Sequence, residues 1–126
     1  MDNLKEIRNE LLNLHKTLLE IERANYEAKF GKITNIQLLN LLFQDQNFLW
    51  LREISALVAE IDEFFASKEG IKEALGQELF SKSKRLFEED AENEEFKDRF
   101  KANLDTESRV EDHHQRLMNL YEKEKA

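Results

Sequence analysis

The sequence predicts an all-α fold, a four-helix-type bundle with additional short helices, because three of its features favour long helices. Apolar residues recur at spacings of three and four over about seven turns at the start of the chain, the pattern of an amphipathic helix packed on others. The chain has no proline and only three glycines, so few positions interrupt a helix. Nine phenylalanines among many leucines and isoleucines supply apolar side chains for a core.

The first helix is predicted over residues 3–28. Its main apolar stripe consists of Leu4, Ile7, Leu11, Leu14, Leu18, Ile21 and Ala28. A second stripe of Leu12, Leu19 and Tyr26 widens the face that we expect to be buried. Gly31 is expected to end the helix, since glycine is favoured just after a helix C-terminus.

Two further helices are predicted before residue 67. Thr34 or Asn35 can cap a second helix that runs through Leu42, because each offers a side-chain oxygen to free backbone amides. This segment has little polar face, so we expect it to be buried on most sides. Asp45 is predicted to cap a third helix over residues 46–66, which with the first helix forms the core.

Beyond residue 67 the apolar positions become sparser, although their spacing still suits helices. Breaks are predicted near Gly70, Ser81 and Asn93, and the final helix is expected to start at Asp105 or Thr106. We therefore predict one domain over residues 1–126, with a tight core in residues 1–66 and a looser helical region in residues 67–126. Helices with few apolar anchors gain little from packing alone, so this region is the one most expected to need a partner.

Composition excludes several classes of function. The formal net charge is −8 with acidic and basic residues interleaved, which argues against binding to nucleic acid or to an anionic membrane surface. No apolar run approaches the roughly 20 residues of a membrane span, and the N-terminus lacks the features of a signal peptide. A cytoplasmic protein is the simplest interpretation. The absence of cysteine removes disulfides, thiolate zinc sites, iron–sulfur clusters and cysteine nucleophiles.

Catalytic motifs are also missing from the sequence. The glycines, at positions 31, 70 and 76, cannot form a dinucleotide-binding or phosphate-binding fingerprint. No serine has a Gly-x-Ser-x-Gly context, and no pair of carboxylates is placed across an obvious cleft. We therefore predict no catalytic residues, no enzymatic activity and no cofactor.

One pair of residues has metal-ligand spacing. Glu111 and His114 form a Glu-x-x-His motif, which places both side chains on one helix face as in di-iron helical bundles. Such a site needs a second motif, but Leu12 stands three residues before His15, where a glutamate would be required. No metal site is favoured, and a solvated acidic helix face is the preferred interpretation of this pair.

A ligand site and an interface are further hypotheses. His15, Glu22 and Tyr26 share one side of the first helix and could orient a small polar ligand, although a histidine at the edge of the core is the commoner meaning of such a pattern. The segment with Phe48, Trp50 and Arg52 combines residue types that are frequent at protein interfaces. Trp50 is in phase with the core positions of the third helix, which favours a core role for it.

Residues 15–62 also contain a distinctive series of residues. They are His15, Leu18, Leu19, Glu22, Arg23, Tyr26, Glu27, Gly31, Leu38, Leu39, Leu41, Leu42, Asp45, Phe48, Trp50, Leu51, Arg52, Ser55, Leu57, Ile61 and Asp62. This series resembles a family of small bacterial all-helical proteins to which no activity is assigned. The resemblance covers under half of the chain, and it implies a helical bacterial cytosolic protein without indicating a mechanism.

These observations lead to two hypotheses about function. The preferred one is a non-catalytic helical interaction module that binds a protein partner or associates with itself. Self-association would pair the C-terminal helices or cover the second helix. The alternative is a helical bundle that binds a small ligand or metal through His15, Glu22 and Tyr26, with Glu111 and His114 as further candidates.

Overall fold

The computed structural model describes residues 2–67, 73–88 and 93–123, and within these ranges the chain forms seven helices and no strand. The helices are α1 (Asp2–Phe30), α2 (Asn35–Gln44), α3 (Gln46–Leu49), α4 (Arg52–Ala66), α5 (Glu73–Leu86), α6 (Glu94–Thr106) and α7 (Ser108–Lys123). The prediction of an all-α fold is confirmed. None of the helices in the described ranges combines the length and apolarity that crossing a bilayer requires.

The long helix α1 forms the centre of the core. Its predicted apolar stripe is buried from Leu4 to Ile21, and only Ala28 of that stripe is exposed. The helix runs two residues further than predicted and ends at Phe30. Gly31 follows with a φ of +92°, and its N–H donates to the carbonyl oxygen of Glu27 at 2.8 Å. Gly31 therefore ends the helix as predicted, in a left-handed conformation that side-chain-bearing residues avoid.

The C-terminal helices pack on α1 and α4 within the same chain. α7 lies along α1, α5 contacts α4 and α7, and α6 contacts α7. These three helices contribute several side chains to the core that α1 and α4 share: Leu79, Phe96, Phe100, Val110, Leu117 and Tyr121. Most of the described apolar positions after residue 67 thus pack within the chain, whereas Leu75 is 44% exposed.

The segment predicted as one helix over residues 46–66 is divided in two. A turn at Trp50 and Leu51 separates α3 from α4, and the N–H of Leu51 donates to Phe48 three residues before it at 3.1 Å. This tighter turn allows Phe48, Trp50 and Leu51 all to be buried. Burial of three large side chains so close in sequence is the physical reason for the departure from a straight helix.

The predicted helix boundaries after residue 67 are partly correct. α5 continues through Ser81, so no break occurs there, whereas Asn93 caps α6 by accepting a hydrogen bond from the N–H of Phe96 at 3.0 Å. The predicted break near Gly70 lies outside the described residues. α6 extends through Thr106, and α7 begins two residues later at Ser108.

Candidate interaction surface

One side of the helix α2 is exposed and Leu38, Leu41 and Leu42 on its other side are only half-buried, so the prediction that the helix is buried on most sides is wrong. None of its residues is buried. Ile36, Leu39 and Phe43 are 74%, 54% and 66% exposed, respectively. Their spacings of three and four place them on one side of the helix together with the exposed Asn40. We call this side, formed by Ile36, Leu39, Asn40 and Phe43, the α2 face.

The N-terminal end of α2 is fixed to the end of α1 by polar contacts. The Arg23 guanidinium donates to the carbonyl oxygen of Ile33 at 2.8 Å and to the side-chain oxygen of Asn35 at 3.1 Å. The Glu27 carboxylate accepts from the N–H of Ile33 at 2.9 Å. These contacts join the start of α2 to the end of α1, and the apolar side chains of the α2 face stay more than half exposed.

The first turn of α2 is closed by a capping box. The hydroxyl oxygen of Thr34 accepts from the N–H of Gln37 at 3.1 Å, and the Gln37 side-chain oxygen accepts from the N–H of Thr34 at 2.8 Å. The cap is therefore Thr34 and not Asn35. A capping box contributes to helix formation locally, which allows α2 to form without buried side chains of its own.

The α2 face also differs from the rest of the chain in charge. Residues 33–44 contain no charged side chain, in a chain in which 37% of residues are charged. Phe30, which is 64% exposed at the end of α1, adds a further exposed aromatic ring just before this segment. Contiguous apolar surface on a monomer is typically limited to a few hundred Å², and the largest such patch is often functional.

The predicted ligand residues of α1 are occupied by contacts within the chain. The Glu22 carboxylate is 4.0 Å from the Arg99 guanidinium, and Tyr26 packs against the rings of Phe30 and Phe48 at centroid distances of 4.7 and 5.8 Å. Burial raises the pKa of Glu22, and the positive charge of Arg99 opposes that rise. Burial lowers the pKa of His15.

Glu111 and His114 line one small cleft with Leu104, Asp105 and Gln115, and its volume is about 380 Å³. The His114 ring packs against the rings of Phe87 and Phe100 at 6.1 and 5.5 Å, and burial lowers its pKa. Within the described ranges, no group of three or more histidine, cysteine or acidic side chains has a metal-binding arrangement. The cleft brings the predicted pair together, with His114 packed partly into the aromatic core.

A polar cluster that we did not predict lies between α1 and α7. His113 Nδ1 is 2.6 Å from the carboxylate of Glu10, and its Nε2 is 2.9 Å from the hydroxyl of Thr17. Arg116 also donates to Glu10 at 3.1 Å. The carboxylate requires His113 Nδ1 to donate, so the Thr17 hydroxyl donates to Nε2 when the ring is neutral. No spacing within α7 indicates this cluster, because its partners are about one hundred residues away in sequence.

The segment with Phe48, Trp50 and Arg52 does not form a continuous surface. Phe48 and Trp50 are fully or almost fully buried, and the Trp50 ring lies 5.6 Å from that of Phe96. The indole N–H donates to the carbonyl oxygen of Asn47 at 3.1 Å, so its polar atom has a partner. Only Arg52 of the three is exposed. Phe48 and Trp50 are thus core residues, as the helical spacing of Trp50 from the other apolar positions predicts for that residue.

A cleft of about 1100 Å³ separates α4 from α5 and the start of α6. Two side-chain contacts cross this cleft. Lys82 of α5 forms an ion pair with Glu60 of α4 at 2.8 Å, and Asn93 donates a hydrogen bond to Glu53 of α4 at 2.8 Å. Two of its carboxylates are therefore already paired with side chains from the opposite wall. These contacts link α4 to α5 and α6, whereas the α2 face carries three of the exposed large apolar side chains of the described residues.

Comparison with known proteins gives no assignment for this chain. No protein-family model, no curated protein and no solved structure matches it.

Proposed function

We propose that this protein is a non-catalytic helical interaction module that binds a protein partner through the α2 face. The observation that carries the proposal is the exposure of Ile36, Leu39 and Phe43 on one side of a helix without charged residues. Exposing three large apolar side chains in water is unfavourable, and covering each would contribute about 1–2 kcal/mol. Binding of another protein over this face would therefore be favourable in free energy.

The shape of the surface favours a helical or flat protein partner over a small molecule. A small ligand requires a concave site that covers most of its surface, whereas the α2 face is one side of a ten-residue helix. Amphipathic helices with anchors at positions i, i+3 and i+7 dock into apolar grooves or against other helices. Ile36, Leu39 and Phe43 have this spacing.

Binding of a small ligand or metal by His15, Glu22 and Tyr26, with Glu111 and His114 as further candidates, is the competing proposal. Two contacts within the chain count against it. Glu22 would have to leave Arg99, and Tyr26 would have to leave Phe48, before either side chain could bind a ligand. Replacement of His15 by alanine tests it: unchanged metal content and unchanged ligand binding would remove its basis.

Site-specific photo-crosslinking tests the interaction module. A photoreactive amino acid replaces Asn40, which lies on the α2 face, and in a matched control it replaces the exposed Ala59 of α4. The proteins are expressed in the native cells and irradiated. We expect discrete cross-linked species from position 40 and none from position 59. Absence of any cross-linked species from position 40, or equal species from both positions, would contradict the proposal.

A further inference from the structure

We propose that the occupant of the α2 face is a second copy of this chain, which pairs α2 with α2 in an antiparallel, two-fold symmetric dimer. This inference rests on the proposed function and names its partner. Its first support is charge. Each chain carries a formal net charge of −8, so two copies repel one another wherever their acidic surfaces meet. Residues 33–44 are free of charge and let the two copies approach without that repulsion.

The charges that flank α2 select the antiparallel arrangement. The exposed Lys29 and Lys32 precede the helix, and Asp45 follows it directly. A two-fold axis perpendicular to the helices places the basic end of each α2 beside the acidic end of the other, with the helix dipoles opposed as well. A parallel arrangement would bring Lys32 close to its own copy and Asp45 close to its own copy. Only the antiparallel pairing is complementary in charge.

The register of the apolar side chains is self-complementary in the same arrangement. With the two-fold axis between positions 39 and 40, Ile36 of one copy faces Phe43 of the other, and Leu39 faces Asn40. The large side chains at the two ends of the face therefore pack on each other, while a leucine and a small amide meet at the centre. Such pairing of one patch with itself is the property that an isologous interface requires.

The exposed apolar area of the α2 face fits a weak dimer. A large side chain presents on the order of 200 Å² when fully exposed. At the exposures of Ile36, Leu39 and Phe43, each copy would bury on the order of 400 Å², and the pair on the order of 800 Å². Stable specific interfaces bury about 1,000 Å² or more in total, and smaller ones belong to weak, transient complexes. We therefore expect a weak, reversible dimer that forms with increasing concentration.

Sedimentation velocity over a concentration series tests the dimer. The wild type is expected to shift from the 15.0-kDa chain mass towards twice that mass as its concentration increases. Leu39→Glu places a charge at the centre of the interface and should keep the protein monomeric. Leu12→Glu is the matched control, because Leu12 is a comparably exposed leucine of α1 that lies outside the α2 face; it should dimerise as the wild type does.

Single cysteines test the orientation without altering the apolar side chains, since the natural chain has no cysteine. In the antiparallel dimer, the two copies of position 40 lie about 1.5 Å apart along the helix axis, and the two copies of position 44 about 13 Å apart. Asn40→Cys should therefore form a disulfide-linked dimer on mild oxidation. Gln44→Cys and the exposed control Ala59→Cys should remain monomeric, because cysteines with Cα atoms more than about 7 Å apart cannot be bridged.

The outcomes separate the dimer from the proposed function on which it rests. A wild type that remains monomeric at every concentration, a dimer that persists in Leu39→Glu, or faster cross-linking of Gln44→Cys than of Asn40→Cys would overturn the inference. If position 40 then cross-links to a different protein in cells, the interaction module stands with another partner. If position 40 cross-links to nothing, the proposed function fails as well. Circular dichroism establishes that each variant is folded, and the Asn40→Cys result does not depend on a disruptive substitution.

Discussion

Truncation of one leucine on the α2 face and one in the core should have very different effects on stability. Leu14 is fully buried in α1, whereas Leu39 is 54% exposed in α2. Replacement by alanine removes the equivalent of three CH₂ groups, or about 2.4 kcal/mol for complete burial at about 0.8 kcal/mol per group. The cavity left at position 14 adds to this, so Leu14→Ala should lower the free energy of unfolding by about 3–4 kcal/mol.

The expected loss for Leu39→Ala is much smaller in dilute solution. Only about half of its surface is covered within the chain, so the lost burial amounts to about 1 kcal/mol. No cavity forms at a surface position, and alanine is a slightly better helix former than leucine. Urea denaturation monitored by circular dichroism at low protein concentration measures both values. A loss for Leu39→Ala as large as that for Leu14→Ala would refute the exposed position of the α2 face.

The same experiment at high protein concentration examines whether the face is covered by association. Binding to the native state stabilises it by mass action. The wild type should therefore gain stability as its concentration increases, and Leu39→Ala should gain less. Equal gains in the two proteins would place any association elsewhere on the chain.

Three further predictions concern two partly buried histidines, a buried hydrogen bond and the glycine that ends α1. Burial lowers the pKa of His15 and of His114 below the ordinary value of 6.5, so the unfolded chain binds protons more readily than the folded one. The free energy of unfolding should therefore be highest above about pH 6.5 and decrease as the pH falls below that value. Urea denaturation at several pH values measures this decrease, which should be smaller in His15→Leu. Ser83 and Tyr121 share a buried hydrogen bond of 2.5 Å. Ser83→Ala leaves the phenol without its partner and should lower the free energy of unfolding by about 1–3 kcal/mol. The double variant with Tyr121→Phe should recover part of that loss, and no recovery would contradict the pairing. Gly31→Ala should lose about 1–2 kcal/mol because of the φ of +92° at this position, although no side chain would clash; an unchanged melting temperature would contradict the strain.

The parts of the fold that depend on local pattern could be predicted from the sequence. The stripe from Leu4 to Ile21 is buried because three-four spacing fixes one side of a helix. Gly31 and Asn93 end and begin helices as predicted, since their conformational and capping preferences are properties of single residues. The sequence contains such information directly, and the structure adds only the neighbouring helices.

The exposure of α2 could not be predicted in the same way. Six apolar side chains between Ile36 and Phe43 indicate burial, but they do not indicate whether the covering surface belongs to the same chain. The sparse apolar positions of α5 to α7 indicate that the C-terminal region needs a partner, yet most of them are buried in the core that these helices share with α1 and α4. The choice between these two arrangements is a matter of long-range packing, which no local spacing encodes.

Most polar contacts of the candidate sites could likewise not be predicted from the sequence. Glu111 and His114 share a cleft as their spacing implies. The neighbouring His113 instead joins Glu10 and Thr17 of α1, and Glu22 lies beside Arg99 of α6. The contacts of His113 and of Glu22 each join residues more than seventy positions apart in sequence, so only the folded chain brings them together.

Amide hydrogen exchange of α2 tests the central claim most directly. A ten-residue helix without buried side chains is marginal on its own. The amides of residues 39–44 should therefore exchange far faster than those of α1 in dilute protein, and they should become protected when the α2 face is covered at high concentration. Protection of α2 equal to that of α1 at the lowest concentration would show that the helix is packed within the single chain, and it would contradict an open docking face.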